Sequence, residues 1–178
     1  MKEIEVKILE IDKQKIIQEL TALGGKKIFD DEVTTVFLDF PDNRIHQMKD
    51  VLRLRKNGEN VELTYKKVYH DKKLKIADEY SVTVSQLDAT LAILQNLGLL
   101  VKQKMKKHRT SFKLDNIQID IDKYQDDFAF IPEFMEIEGS EGNIKKYAGL
   151  LGFQQKDCLP WSTDELIMHY SPIEKEKV

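Results

Sequence analysis

The chain has 178 residues, of which 41% are apolar and 33% are charged, and its formal net charge is −3. This length suits one domain with an apolar core, and the near balance of charges argues against a nucleic-acid binder, which would be strongly basic. The single cysteine excludes an internal disulfide. No apolar run is long enough to span a membrane and no signal-peptide core is present, so we expect a cytoplasmic protein without membrane contact.

Much of the chain alternates between apolar and polar residues, which is typical of half-buried β-strands. In chain order, the alternating stretches are residues 3–9, 51–55, 61–66, 79–84, 104–114, 117–124 and 134–138. A turn at residues 57–60 separates the second stretch from the third. Asp115-Asn116 is predicted to join two of the later stretches into an antiparallel hairpin.

Three further stretches repeat apolar residues at helical spacing. Asp12 is predicted to cap the first of them, and Ser85 with Asp88 forms a predicted capping box before the second. The third covers about residues 141–151. Each stretch ends in a Leu-Gly pair, and glycine at that position suits a left-handed helix C-cap.

A fourth helix is predicted to begin near Ser162, with two acidic residues in its first turn. Long linkers and low-complexity segments are absent from the sequence. The pattern therefore predicts a single α+β domain over residues 1–172, dominated by antiparallel strands, and a disordered charged tail at residues 173–178.

The charged residues of the predicted strands lie in groups on one face, because residues two apart point to the same side of a strand. The groups are Glu3, Glu5 and Lys7; Arg53 and Arg55; Thr64 and Lys66; Lys107 and Arg109; Asp120 and Asp122; Glu136 and Glu138. A solvated sheet face would explain any one pair. However, long ionisable groups dominate and their signs are segregated. If the sheet closes into a barrel, this charged face becomes the lumen.

A lumen that carries both signs favours a ligand that uses both, since burying charges without partners is costly. A polyphosphate with a divalent cation is such a ligand. Arginine and lysine bind phosphate oxygens through charge-assisted hydrogen bonds, and carboxylates hold hard cations such as Mg²⁺ or Mn²⁺.

The sequence also resembles the CYTH family, which includes class IV adenylate cyclases and thiamine triphosphatases. Glu3-Ile4-Glu5-Val6-Lys7 is similar to the family's N-terminal ExExK signature. Other strand motifs follow in the family's order: LRLR at 52–55, LTYK at 63–66, KHR at 107–109, IDID at 119–122, FMEIE at 134–138 and WS at 161–162. The resemblance therefore covers nearly the whole chain.

This resemblance implies a closed, eight-stranded antiparallel β-barrel, called a triphosphate tunnel, with helices packed outside. It implies phosphate contacts from Lys7, Arg53, Arg55, Lys66, Lys107 and Arg109. It implies metal contacts from Glu3, Glu5, Asp122, Glu136 and Glu138, with Glu79 as a further candidate. The expected catalytic residues are Glu5, Lys7, Arg109 and Asp122. The chain departs from the family pattern at Ala77 and Ser81, where a basic and an acidic residue are usual.

The expected substrate is tripolyphosphate, ATP or thiamine triphosphate, with Mg²⁺ or Mn²⁺ as cofactor. We expect hydrolysis of a P–O–P bond, with a metal-activated water as nucleophile, because this reaction needs only the tunnel. One alternative is a class IV adenylate cyclase that converts ATP to cyclic AMP and pyrophosphate. Another is a non-catalytic module that binds polyphosphate or a phosphorylated metabolite. Both a monomer and a homodimer fit the sequence.

Overall fold

The computed structural model describes residues 2–70 and 75–171, without the side chains of Lys2, Glu3, His70 and Lys75. The predicted tail at residues 173–178 lies outside the described residues. Eight strands are present in this part of the chain: β1 (Lys2–Ile8), β2 (Lys26–Asp39), β3 (Val51–Asn57), β4 (Asn60–His70), β5 (Lys75–Val84), β6 (Leu100–Leu114), β7 (Ile117–Tyr124) and β8 (Phe134–Glu138).

These strands form a closed barrel in the order β1-β5-β4-β3-β2-β6-β7-β8. Every neighbouring pair is antiparallel, including the closing pair of β8 with β1. The predicted closed, antiparallel, eight-stranded barrel is therefore confirmed. Closure leaves the strands with an inner face, which lines a lumen, and an outer face.

The helices are short. They are α1 (Lys13–Ala22), α2 (Arg44–Gln47), α3 (Leu87–Asn96), α4 (Glu141–Leu150) and α5 (Thr163–Tyr170), with 3₁₀ turns at Asp126–Phe128 and Gln155–Asp157. Helices α1, α3 and α4 pack outside the barrel. Leu166 of α5 is buried with Met105 and Tyr124, which line the lumen. None of the helices in the described ranges is both long and apolar enough to cross a membrane.

The main apolar core lies between the barrel and two of these helices. Val6 and Ile137 belong to the outer face of the barrel, and they are buried in one cluster with Ile16 and Leu20 of α1 and Ile144 of α4. A second cluster joins the β2–β4 side to α3. Because the apolar side of each strand is used outside, the alternating charged side chains face the lumen.

The helix ends test the sequence predictions directly. Asp12 caps α1, and its carboxylate accepts a hydrogen bond from the Lys15 amide at 3.0 Å. Gly24, Gly98 and Gly152 have φ angles of +85°, +94° and +84°, so the three predicted left-handed C-caps are confirmed.

The predicted capping box of Ser85 and Asp88 is wrong. The residue at the N-cap of α3 is Gln86, whose backbone is still extended and whose side chain makes no capping hydrogen bond. The helix therefore begins one residue too late for Ser85 to cap it. A complete capping box is present instead at α5, between Ser162 and Glu165.

The alternation pattern does not predict β2, the second longest strand of the barrel. Its first half carries charged residues on both faces, as in Lys26-Lys27 and Asp30-Asp31-Glu32, and these side chains are largely exposed. Only from Val33 onward does burial set in. Pairing with β6 on one side, and with β3 on the other, holds this strand in the sheet despite its weak pattern.

Candidate active site

The barrel lumen is a cavity of about 1700 Å³. All six predicted phosphate-binding residues line it: Lys7, Arg53, Arg55, Lys66, Lys107 and Arg109. The carboxylates in its lining include Glu5, Glu62, Glu79, Asp120, Glu136 and Glu138. Asp122 lies directly behind this lining and is 0% exposed. All the predicted site residues therefore meet at one cavity except Glu3, whose side chain is outside the described part of the structure.

Strand register explains why residues so distant in sequence meet there. Lys7 of β1 lies opposite Glu136 of β8, and Glu136 lies opposite Asp120 of β7. Arg109 of β6 lies opposite Asp122 of β7. Residues that are directly opposite in a sheet point to the same face, so Lys7 and Arg109 each have an acid beside them.

Arg109 is the centre of a network of buried ion pairs. Its Nε and Nη2 atoms donate to the two carboxylate oxygens of Asp122 at 2.7 and 2.6 Å. Nη2 also donates to Glu136 at 2.6 Å, and Nη1 contacts Asp120. Burial alone would lower the pKa of Arg109, but Asp122 and Asp120 raise it well above its ordinary value. The guanidinium is therefore held charged and fixed in orientation.

Two lysines extend this network on either side. Lys7 is 2% exposed and donates to Glu136 at 2.7 Å, and burial is outweighed by Glu136 and Glu5, which raise the pKa of Lys7. Lys107 donates to Asp122 at 2.6 Å. Burial and the nearby Arg109 lower the pKa of Lys107 to about 8. The two lysines are thus charged at neutral pH, but Lys107 is the one closest to losing its proton.

A smaller pair lies on the opposite wall. Lys66 of β4 is 2.7 Å from Glu79 of β5. The other oxygen of Glu79 accepts a hydrogen bond from Ser81 at 2.8 Å, and the Ser81 hydroxyl is 2.9 Å from that of Thr64. Burial opposes ionisation, but Lys66 lowers the pKa of Glu79 to about 2. Glu79 thus directly contacts a predicted phosphate ligand.

The arginines of β3 differ from the other bases of the lumen. The Nε atoms of Arg53 and Arg55 are buried and have no hydrogen-bond partner among the described residues. Arg53 has a long contact of 3.8 Å from Nη2 to Glu79, whereas Arg55 has no ion pair in the described ranges. Burial and the nearby Arg53 lower the pKa of Arg55 to about 10, so Arg55 remains charged at neutral pH.

The carboxylates near β1 provide suitable donor chemistry for a divalent cation. Glu5 lies directly opposite Glu138, with Glu136 two residues along β8. Like charges directly opposite are unfavourable in a sheet, and a hard cation with oxygen ligands would relieve this. Within the described residues, however, no three acidic, histidine or cysteine side chains already converge on one point. Glu136 is held by Lys7 and Arg109 instead.

One mouth of the lumen is formed by parts of the chain outside the strands. Residues of α2 and of the segment that leads into α5, including His46 and Trp161, line it. Phe37 of β2 and Gln103 of β6 lie opposite each other near this end. The mouth therefore combines aromatic and polar groups, next to Arg53, which lies opposite Phe37.

Several residues of this site have no role assigned from the sequence. Asp120 is grouped with Asp122 on one strand face but has no assigned contact, and Glu62 alternates in phase with Thr64 and Lys66, which indicates that it faces the lumen. Nothing in the pattern indicates Ser81 as the residue that orients Glu79.

Comparison with known proteins agrees with this architecture. The family model of the CYTH domain matches residues 1–151. A Methanocaldococcus jannaschii protein named as a proposed adenylate cyclase is 27% identical over 146 residues. The match covers 82% of this chain and 81% of that protein.

Solved structures share the fold at low identity. The PH1012 protein of Pyrococcus horikoshii has a TM-score of 0.77 and 24% identity, over 92% of this chain and 98% of that one. A Hippeastrum protein, whose name proposes an adenylyl cyclase with a dominant triphosphatase activity, has a TM-score of 0.64 and 11% identity, over 94% and 95% of the two chains. Since the family model spans most of the sequence and the barrel has the matching fold, the chain belongs to the CYTH domain family.

Proposed function

We propose that this protein is a divalent-metal-dependent enzyme that cleaves a P–O–P bond of a triphosphate held in the lumen. The observation that carries the proposal is the pair of buried Nε atoms of Arg53 and Arg55, which have no partner among the described residues. A buried donor without a partner costs about 1–3 kcal/mol. Phosphate oxygens would satisfy both donors through charge-assisted hydrogen bonds, for which the guanidinium geometry is well suited.

The remaining bases extend this phosphate site across the lumen. We assign Lys66 to the same end of the phosphate chain as Arg53, because Glu79 contacts both. Lys7, Lys107 and Arg109 form the facing wall, where each is now paired with a carboxylate. A triphosphate lying between these walls would be surrounded by cations on two sides, which suits its distributed negative charge.

We assign the divalent cation to Glu5, Glu136 and Glu138, together with Glu3. Bound there, Mg²⁺ or Mn²⁺ would neutralise phosphate charge and polarise a phosphoryl oxygen. Asp122 and Glu79 have a different role in this proposal. Asp122 orients Arg109 and Lys107, and Glu79 orients Lys66.

The chain's own residues contribute mainly position and electrostatic stabilisation. In hydrolysis, the oxygen of a water molecule attacks the terminal phosphorus while the bond from that phosphorus to the bridging oxygen breaks. The products are orthophosphate, which carries the oxygen of the water, and the diphosphate leaving group, whose freed oxygen takes up the proton that the water loses. Lys7 and Arg109 are placed to stabilise the negative charge of the transferring group, because both donate from the buried wall of the lumen. Such fixed donors provide most of the acceleration in phosphoryl transfer.

Adenylate cyclase activity is the second candidate. The Methanocaldococcus jannaschii relative supports it, since its name proposes that activity and it is 27% identical over 146 residues. The Hippeastrum protein supports hydrolysis, because the activity described as dominant in it is a triphosphatase. We place hydrolysis first because the arginines of β3 explain triphosphate binding without any recognition of a base.

Product analysis tests both candidates. The purified protein is incubated with tripolyphosphate, ATP or thiamine triphosphate, with Mg²⁺ and with Mn²⁺, and the products are separated. Orthophosphate release that is lost in Arg53→Ala and Arg55→Ala supports the hydrolase, whereas cyclic AMP with pyrophosphate identifies the cyclase. Arg44→Ala is the matched control, because Arg44 is exposed and pairs with Asp42 outside the lumen. Binding without any product would contradict an enzymatic function.

A further inference from the structure

We infer that the lumen binds its cation and its triphosphate cooperatively, because each ligand must displace ion pairs that the other ligand then replaces. This inference rests on the proposed function and adds how the site is controlled. The evidence is the network in which Lys7, Lys107 and Arg109 are bound to Asp120, Asp122 and Glu136.

Binding of a triphosphate without a cation is opposed by the carboxylates that are paired with Lys7, Lys107 and Arg109. The bases of this wall already donate to carboxylates at 2.6–2.7 Å, so a phosphate oxygen that approaches Lys7 or Arg109 also approaches Glu136. Repulsion between these anions is strong in a buried site, where water screens little. Among the described lumen bases, Arg53 and Arg55 are those with an unpartnered buried donor, and they face a ligand of higher charge than they can neutralise.

Binding of a cation without a triphosphate is opposed by the bases that already hold Glu136. One oxygen of Glu136 accepts from Lys7 at 2.7 Å and the other accepts from Arg109 at 2.6 Å. A metal ion that took this carboxylate would remove one partner from each of two buried cations, and Lys7, which is 2% exposed, would keep the longer 3.4 Å contact with Glu5. Breaking a buried ion pair in this way is strongly destabilising.

Both obstacles disappear when the two ligands enter together. The cation takes Glu136 and its neighbours, and the released ammonium and guanidinium groups take the phosphate oxygens. Every buried charge then has a partner. The two binding events are therefore positively coupled, and by linkage each ligand raises the affinity of the other by the same factor.

Direct measurement of both affinities tests this exchange. Free Mn²⁺ is counted by electron paramagnetic resonance, with and without a triphosphate analogue whose bridging oxygens are methylene groups. Calorimetry measures binding of the same analogue with Mn²⁺ or with a chelator, and the Mn²⁺–analogue affinity in buffer is measured separately. We expect each ligand to tighten the other by at least about tenfold.

A variant distinguishes ion-pair exchange from simple bridging of the metal to phosphate. Glu136→Gln releases Lys7 and weakens the hold on Arg109 without a large change of shape. We expect it to bind the analogue more tightly than the native protein in the presence of chelator, while its Mn²⁺ binding and the coupling factor both fall. If the metal simply bridged the protein to the phosphate, Glu136→Gln would not tighten binding of the analogue in the presence of chelator.

Asp120→Asn provides a second variant with the same expected direction, since Asp120 contacts Arg109 from the far side of the network. Glu32→Gln is the matched control, because its ion pair with Lys106 lies outside the lumen and is half exposed. Circular dichroism verifies that each variant is folded, and only folded variants are compared.

The outcomes distinguish failure of the cooperative-binding inference from failure of the proposed function. If the native protein binds the analogue equally well with chelator and with Mn²⁺, and neither variant binds it more tightly, the inference is overturned while the proposed function stands. If the native protein does not bind the analogue even with Mn²⁺, the proposed function itself fails.

Discussion

Arg109 and Asp122 form a two-point contact in the wall of the lumen, with parallel N–H···O hydrogen bonds of 2.7 and 2.6 Å. They are directly opposite on β6 and β7, and Asp122 is completely buried. Asp122 also accepts from Lys107, so one carboxylate holds two of the bases that we assign to phosphate binding. Burial would raise the pKa of Asp122, but Arg109 and Lys107 lower it, and the group stays ionised.

The first prediction follows from this contact. Asp122→Asn should lower the free energy of unfolding by about 3–5 kcal/mol, because it leaves two buried cations without their shared counter-ion. Urea denaturation measures the loss. Tripolyphosphate with Mg²⁺ should restore more stability to the variant than it adds to the native protein, since phosphate oxygens would replace the missing carboxylate.

The control for this substitution is Asp42→Asn, which removes an exposed carboxylate paired with Arg44. An exposed pair contributes little to stability, because water screens it. If Asp122→Asn were no more destabilising than Asp42→Asn, the contact with Arg109 would not hold the lumen together.

The sequence predicts which side chains enter the lumen because strand periodicity fixes the face of each residue. Glu5, Lys7, Arg53 and Arg55 were placed together in this way, without any knowledge of which strands are neighbours. The apolar faces were equally clear, because helices of matching periodicity cover them outside the barrel.

Periodicity does not show which charges pair. The contacts of Lys107 and Arg109 with Asp122 depend on the register between β6 and β7, and Glu136 reaches Lys7 only because β8 lies beside β1. The sequence therefore suggests a lumen of clustered bases and clustered acids, whereas closure of the barrel interleaves them. Only the structure shows that the other lumen bases are paired with carboxylates, whereas the Nε atoms of Arg53 and Arg55 have no partner among the described residues.

A second prediction concerns the two arginines of β3. Arg53→Ala and Arg55→Ala should each weaken binding of tripolyphosphate by about 1.5–3 kcal/mol, the range for hydrogen bonds to charged groups. Each substitution also removes a buried Nε without a partner, so the ligand-free protein should lose little stability or gain some. Calorimetry with a non-hydrolysable analogue measures the affinity, and urea denaturation measures the free energy of unfolding. Arg44→Ala is the control for both. Unchanged affinity in both lumen variants would contradict the phosphate assignment.

A third prediction concerns pH and Lys107. Burial and Arg109 lower the pKa of Lys107 to about 8 from its ordinary value of 10.5. Below pH 8 the ammonium is already charged and binds phosphate directly. Above pH 8 binding requires proton uptake, so the affinity for the analogue should fall by about tenfold per pH unit as long as the bound lysine stays protonated. Affinity measured from pH 7 to 9 checks this.

The same shift affects stability with the opposite sign. Between pH 8 and 10.5 the unfolded chain holds a proton on Lys107 that the folded protein has lost, so the contribution of this group to stability rises with pH. In Lys107→Met both pH dependences should vanish, relative to the exposed control Lys56→Met. A variant that kept the native affinity profile would assign the pH dependence to another group.

The last prediction tests whether the lumen recognises a triphosphate rather than any anion. A ligand that binds only the folded barrel, at about one hundred times its Kd, should add about 2.7 kcal/mol to stability. For a chain of this size, the melting temperature should then rise by about 5–10 °C.

Tripolyphosphate with Mg²⁺ should give the full shift, pyrophosphate a smaller one and orthophosphate the least, because shorter anions reach fewer of the bases on the two walls. The measurement is a thermal-shift series at equal ionic strength. In the Arg53→Ala/Arg55→Ala double variant the shift with tripolyphosphate should shrink towards that with orthophosphate, since Lys66 is then the one remaining base that we assign to that wall. Equal small shifts with all three anions would mean that they act as general salts, and the triphosphate site would lose its support.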